Sequence, residues 1–199
     1  MELIALLGRT AAFSFAAGLN LYATVAMIGL ASRFDWVALP PQFAIFDSNV
    51  VIGVALVLYL LEFFADKIPY VDTVWDIVHT AIRPLGGAFV AMASVGSVSP
   101  AVQGLAALLG GTLAAGSHLT KAGTRAVANT SPEPFSNWAL SLAEDGLVVG
   151  LGVLAMTHPV TALIVTAVLV GLMAVFAAAI LRAVRRRFSG RRNLAPHTS

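Results

Sequence analysis

Apolar residues run along this chain in blocks too long for the stripes of a soluble helical bundle. Six blocks approach the roughly 20 residues that cross a bilayer as a helix. They cover about Leu3–Ala31, Asn49–Asp66, Pro84–Val98, Ala101–Ala122, Phe135–Met156 and Pro159–Leu181. The third is short, and Ser97-Val98-Ser99-Pro100 after it reads as a turn. The first is expected to be a span and not a cleaved leader, since no basic stretch precedes Leu3 and the run continues too far. The pattern changes over Val71–Arg83. There Asp72, Asp76, His79 and Arg83 recur at helical spacing on one face, and Val71, Val74, Trp75, Val78 and Ile82 cover the other. This predicts an amphipathic helix on the inner membrane surface with its polar face in water. Metal binding by that face is the weaker reading, because the spacing is generic.

Composition agrees with a bilayer. The 199 residues are 58% hydrophobic and 11% charged, with a mean hydropathy of +0.86. Soluble domains carry about twice that share of charge, and disordered chains lack the apolar content. Without a cysteine there is no disulfide, thiolate metal site or cysteine nucleophile. No motif names a cofactor or a metal.

The expected fold is an all-α membrane protein with six transmembrane helices, in one transmembrane domain over 1–183 followed by a basic tail over 184–199. Six spans put both termini on one side. Arg9, Lys67, Arg83, Lys121, Arg125 and the tail's Arg182, Arg185, Arg186, Arg187, Arg191 and Arg192 would then lie inside, with Arg33 alone outside. Eleven against one predicts cytoplasmic termini in an inner membrane. The tail is expected to meet anionic lipid headgroups; with no aromatic platform beside it, nucleic acid is not expected. The outer loop Arg33–Ser48, with Trp36, Pro40, Pro41 and Phe43, reads as an interfacial anchor in preference to a lid.

A repeat is suggested by Ala16-Ala17-Gly18-Leu19-Asn20-Leu21 against Ala114-Ala115-Gly116-Ser117-His118-Leu119, and by Leu61–Asp66 against Leu140–Asp145. Halves of three helices, about 1–99 and 100–183, would be inverted, a plan that recurs in secondary transporters. Chance similarity in Ala/Gly/Leu-rich sequence is the competing explanation.

Ionisable groups inside spans cost about 2.5–3.5 kcal/mol each on insertion scales and become functional candidates. Glu144 and Asp145 fall near the middle of the fifth span; the alternative is that Asp145 and Ser141 cap a helix broken at Gly146. Glu62 and Asp66 share a face at i and i+4, with Lys67 placed to neutralise Asp66. Asn20 and His118 hold matching places after a glycine, and Lys121 either snorkels or pairs with Glu144 or Glu62. Gly110, Gly111, Ala114, Ala115, Gly146 and Gly150 suggest close helix packing.

The stretch Leu61-Glu62-Phe63-Phe64-Ala65-Asp66-Lys67-Ile68-Pro69-Tyr70-Val71-Asp72, continuing through Trp75-Asp76, His79 and Arg83-Pro84-Leu85-Gly86-Gly87, resembles a bacterial family of small integral-membrane proteins. That family, a domain of unknown function with a Glu-x-x-x-Asp-Lys-Ile-Pro core, implies location and architecture but no substrate. The reading that follows is a small transporter or channel for a cation or a proton-coupled solute, lined by Glu144, Asp145, Glu62, Asp66, Asn20, His118 and Lys121. Its rivals are a lipid-acting intramembrane enzyme, the less favoured, and a non-transporting scaffold. A homo-oligomer is compatible with so thin a bundle.

Overall fold

The computed structural model describes residues 2–68, 70–130 and 135–192. They form seven α-helices: α1 (Glu2–Leu19), α2 (Leu21–Arg33), α3 (Asn49–Ala65), α4 (Val71–Val95), α5 (Pro100–Ala128), α6 (Phe135–Thr157) and α7 (Pro159–Arg192). A 3-10 helix, Pro41–Phe46, lies between α2 and α3, and the described residues contain no strand.

Two helix boundaries differ from the expected spans. The first apolar block is not one helix, because Asn20 sits between α1 and α2 in an extended conformation (φ −150°, ψ 98°). Its Oδ1 accepts the backbone N–H of Ala23 at 2.9 Å, which caps α2 and replaces a lost helical partner. Conversely, Val71–Arg83 and the third block are one helix, α4, which runs through Pro84 and ends at Gly96 with φ +67°. The polar face of its first half is not in water. Asp72, Asp76, His79 and Arg83 are buried, while Val74, Ile77 and Val78 are exposed. In a bilayer the apolar face of an amphipathic helix turns outward to lipid, and the polar face must find partners inside.

The chain reverses at Asn20. Glu2 and Arg9 line the same cavity as Pro40 and Gln42. The Phe13 and Phe43 rings meet edge to face at 5.7 Å, and Gln42 Nε2 donates to Ser94 O near the end of α4. The start of α1 and the 34–48 loop therefore share one end of the bundle. Toward the other end, Lys121 of α5 reaches Leu19 O, and Phe176 and Ile180 of α7 lie beside Gly123. The start of α1 and the later part of α7 are thus at opposite ends, contrary to termini on one side. Arg9 and Arg33 belong to the first end. Lys67, Arg83, Lys121 and Arg125 are buried in ion pairs or against polar groups and are not loop charges, so the eleven-to-one split does not hold.

The inverted repeat also fails. Ser14 faces Gly110, Gly18 faces Ala114 and Ser117, and Leu19 meets Lys121. Residue numbers rise together along α1 and α5, so these helices are parallel. An in-plane two-fold axis would make matched helices antiparallel.

Packing follows side-chain size. A Cβ on Gly18 would collide with Ser117 Oγ and the Ala114 backbone, and one on Gly87 with Ala114 Cβ. Small residues bring α1, α4 and α5 into backbone contact. Gly110 and Gly111 take part, as expected, whereas Gly146 and Gly150 have nothing within 4 Å. The helix α6 also continues through Gly146, so Asp145 and Ser141 cap no break there.

The distribution of polarity is inverted relative to a soluble protein. Val54, Ile77, Leu85, Leu109, Ile164 and Leu172 are exposed, while charges occupy the centre. Glu2–Leu19, Phe135–Thr157 and Pro159–Arg182 are long and apolar enough to cross a membrane, and Leu21–Arg33 and Asn49–Ala65 are apolar but shorter. The 34–48 loop divides its roles. Trp36 stacks on Phe34 at the surface, while Phe43 and Phe46 plug the apolar core against Phe13.

Candidate functional site

Broken helices expose backbone carbonyls, and α1 ends in the bundle interior. Cations meet two of them: Arg83 Nη1 donates to Gly18 O at 3.4 Å and Lys121 Nζ to Leu19 O at 3.2 Å. Ser117 Oγ donates to Phe15 O one turn earlier. Positive groups belong at this helix end, where the macrodipole is negative. On the other side of the break, Asn20 Nδ2 donates to Asp145 Oδ1 at 3.3 Å.

From these cations an ion network spreads across α3, α4, α5 and α6. Arg83 Nη2 binds Glu62 Oε1 at 2.9 Å, and Nη1 lies 3.3 Å from Asp76 Oδ1. Lys121 Nζ sits 2.7 Å from Asp66, 3.3 Å from Glu62 and 3.5 Å from Glu144. Arg125 pairs through Nη2 with Glu144 Oε2 at 2.6 Å and with Asp66 at 3.3 Å, and its Nε donates to Glu144 Oε1. Arg125 Nη1 also donates to Asp66 O and lies 3.9 Å from Asp72. Asn129 Nδ2 donates to both oxygens of Asp72, and Asn137 Nδ2 to Asn129 Oδ1.

Hydrogen-bond direction fixes both buried imidazoles. Arginine only donates, so His118 Nδ1, 2.7 Å from Arg83 Nη1, is the bare nitrogen, and Nε2–H faces Thr80 Oγ1 at 3.2 Å. The carbonyl of Trp75 only accepts, so His79 Nδ1 carries the proton and Nε2 accepts from Tyr22 OH at 2.8 Å.

Every sequence-selected residue falls in this region. Glu62, Asp66, Lys121 and Glu144 meet directly, His118 joins through Arg83, and Asn20 and Asp145 bond to each other. The two adjacent acids of α6 take different partners, as their angular separation on a helix requires. Lys121 pairs and does not snorkel. Lys67 does not neutralise Asp66: its Nζ donates to Phe63 O and Ser141 Oγ and lies 3.0 Å from the Phe63 ring centroid. Burial pushes this ammonium, in the turn after α3, below its ordinary value, against the pull of Asp145 and Asp66. Sequence reading missed Arg83, Arg125, Asp72, Asp76 and Tyr22 as members. The i, i+4 polar stripe of Val71–Arg83 is the available signal, and on periodicity alone it reads as a water-facing surface.

Six carboxylates (Glu62, Asp66, Asp72, Asp76, Glu144, Asp145) face four fixed cations (Lys67, Arg83, Lys121, Arg125), which leaves two negative charges unmatched if all ionise. Glu62 Oε2, Asp66 Oδ1, Asp145 Oδ2 and both oxygens of Asp76 are buried without a hydrogen-bond partner. Among the described residues no group of three or more His, Asp or Glu is placed to hold a metal. The centre is closed as it stands, with Glu62, Arg83 and His118 at 0% exposure.

Neither curated proteins nor solved structures provide a match. A family model described as a domain of unknown function, DUF4126, matches residues 7–179, a stretch that takes in the whole network, and the chain belongs to that family.

Proposed function

We propose that this chain is a multi-pass inner-membrane transporter or channel that moves protons or a small cation through the central ion network, seen with its pathway shut. The observation that carries the reading is the unmatched pair of negative charges beside a helix broken at Asn20. Buried carboxylates in such excess need exchangeable protons or a mobile cation to be neutral, and broken helices near mid-depth serve this purpose in transporters. Glu62, Asp66, Glu144 and Asp145 carry the exchangeable charge; Asn20, His118 and Lys121 position it. The end that holds the α7 arginines faces the cytoplasm and its anionic lipids, and the start of α1 faces the other side.

The closed centre supports a second reading, a scaffold whose polar groups only join helices. Proteoliposomes with an internal pH dye and an imposed potential separate the two. In the transporter, Glu144→Gln abolishes flux or its pH dependence while the protein still inserts and purifies. In the scaffold, wild-type vesicles show no flux above empty ones and Glu144→Gln raises thermal stability.

A further inference from the structure

The chain has two lysines, Lys67 and Lys121, and they are held in opposite ways. Lys121 sits among carboxylates. Lys67, in the turn after α3, is buried with no carboxylate at ion-pair distance among the described residues. Its ammonium has three N–H donors, and three neutral acceptors surround it. They are Phe63 O at 3.0 Å, Ser141 Oγ at 3.1 Å and the face of the Phe63 ring, 3.0 Å from its centroid. The Trp138 ring adds a second aromatic group at 5.7 Å. Two oxygens and the negative face of a ring hold an ammonium whether or not it is tethered to the chain. A divalent ion would want more oxygens, carboxylates among them, and an alkali ion has no N–H to aim.

A second position for this lysine lies close by. Ser141 and Asp145 are one turn apart on the same face of α6, and Asp145 Oδ2 is buried without a hydrogen-bond partner. The charge of Asp145 acts on Lys67 more strongly than that of Asp66 does. The helices α3 and α6 do not pack along their lengths, and the Lys67 side chain bridges them at this point. Shifted onto Asp145, it would leave the three acceptors vacant. A cation that took them would supply one of the two positive charges missing from the carboxylate count.

We propose that Phe63 O, Ser141 Oγ and the Phe63 ring form a binding site for ammonium or a primary alkylammonium ion, which Lys67 fills in the closed state and yields by moving to Asp145. The proposal names the cation of the transport reading and rests on that reading for where the ion goes next. Binding itself is measured without flux.

Carbon-13 labelling of lysine gives two Cε–Hε resonances from the wild-type chain in detergent, and that of Lys67 lies upfield because its end sits over the Phe63 ring. Ammonium chloride should release this shift saturably. Sodium chloride should need roughly tenfold more to do so, the worth of one desolvated cation–π contact. Lys67→Ala empties the site, and propylammonium, which replaces the lost atoms, should raise the melting temperature of that variant. It should leave unchanged both Lys67→Met, which fills the space without charge, and Lys67→Ala combined with Ser141→Ala. A Lys67 resonance that ammonium does not move overturns the proposal, and the titration depends on no variant's folding. An equal response to sodium also overturns it, as a general salt effect, and so does a propylammonium rescue that survives the loss of Ser141 Oγ. A saturable ammonium response in protein without flux leaves the site standing and sinks the transport reading; flux without that response does the reverse.

Discussion

Arg83 and Glu62, on α4 and α3, join Nη2 to Oε1 at 2.9 Å with neither side chain exposed. Each is also the hub of further contacts, Arg83 to His118 and Asp76, Glu62 to Lys121. Arg83 ties the pair to the end of α1 through Gly18 O, and Lys121, held by Glu62, reaches Leu19 O. A buried pair of this kind is hard to break from one side, because the surviving charge is stranded.

Arg83→Met and Glu62→Leu are each expected to destabilise the protein by about 3–5 kcal/mol. The double variant should lose much less than the sum, since no charge of this pair is left unpaired. Thermal unfolding in detergent, run as a double-mutant cycle, measures the coupling. Additive losses would mean that the two residues act separately.

Gly18→Ala should destabilise strongly, because the added methyl meets the Ala114 backbone as well as Ser117 Oγ. Backbone cannot rotate away as a side chain can. Gly150→Ala, which adds a methyl in open space on a helix, should be neutral or stabilise by up to about 1 kcal/mol. Melting temperatures of the two variants, compared under one detergent, check the contrast.

Asn20→Ala removes the cap of α2 and the donor to Asp145, for an expected loss of about 1–2 kcal/mol. Asn20→Ser keeps a capping oxygen and should recover part of that loss without restoring the Asp145 contact. If both variants lose stability equally, capping is not what Asn20 contributes. Melting curves in one detergent provide the comparison.

Single cysteines at Glu2, Ser48 and Thr130, labelled with a membrane-impermeant thiol reagent, report the ends of the bundle. Glu2→Cys and Ser48→Cys should react from the same side and Thr130→Cys from the opposite one. Labelling of Glu2→Cys and Thr130→Cys from one side would contradict the reversal at Asn20.

The apolar blocks alone determined that the chain is helical, that most of its large apolar residues face outward, and that Glu62, Asp66, Asn20, His118, Lys121, Glu144 and Asp145 do not sit in lipid. Those conclusions depend on transfer costs, which act on each residue wherever it lies in the fold. Three things depended on tertiary contact. A block of 29 apolar residues does not reveal whether it crosses once or folds back, because the decision rests on one extended residue, Asn20, and on the partners waiting for the freed carbonyls. The stripe Asp72, Asp76, His79, Arg83 has the same periodicity whether it faces water or protein; only the basic groups of α5 and the acid of α3 turned it inward. Finally, charge counting places Lys121 and Arg125 on the inner side of the membrane whether or not they are paired. Hydropathy carries no record of pairing, and a cation matched by a carboxylate from another helix no longer reports the side of the membrane.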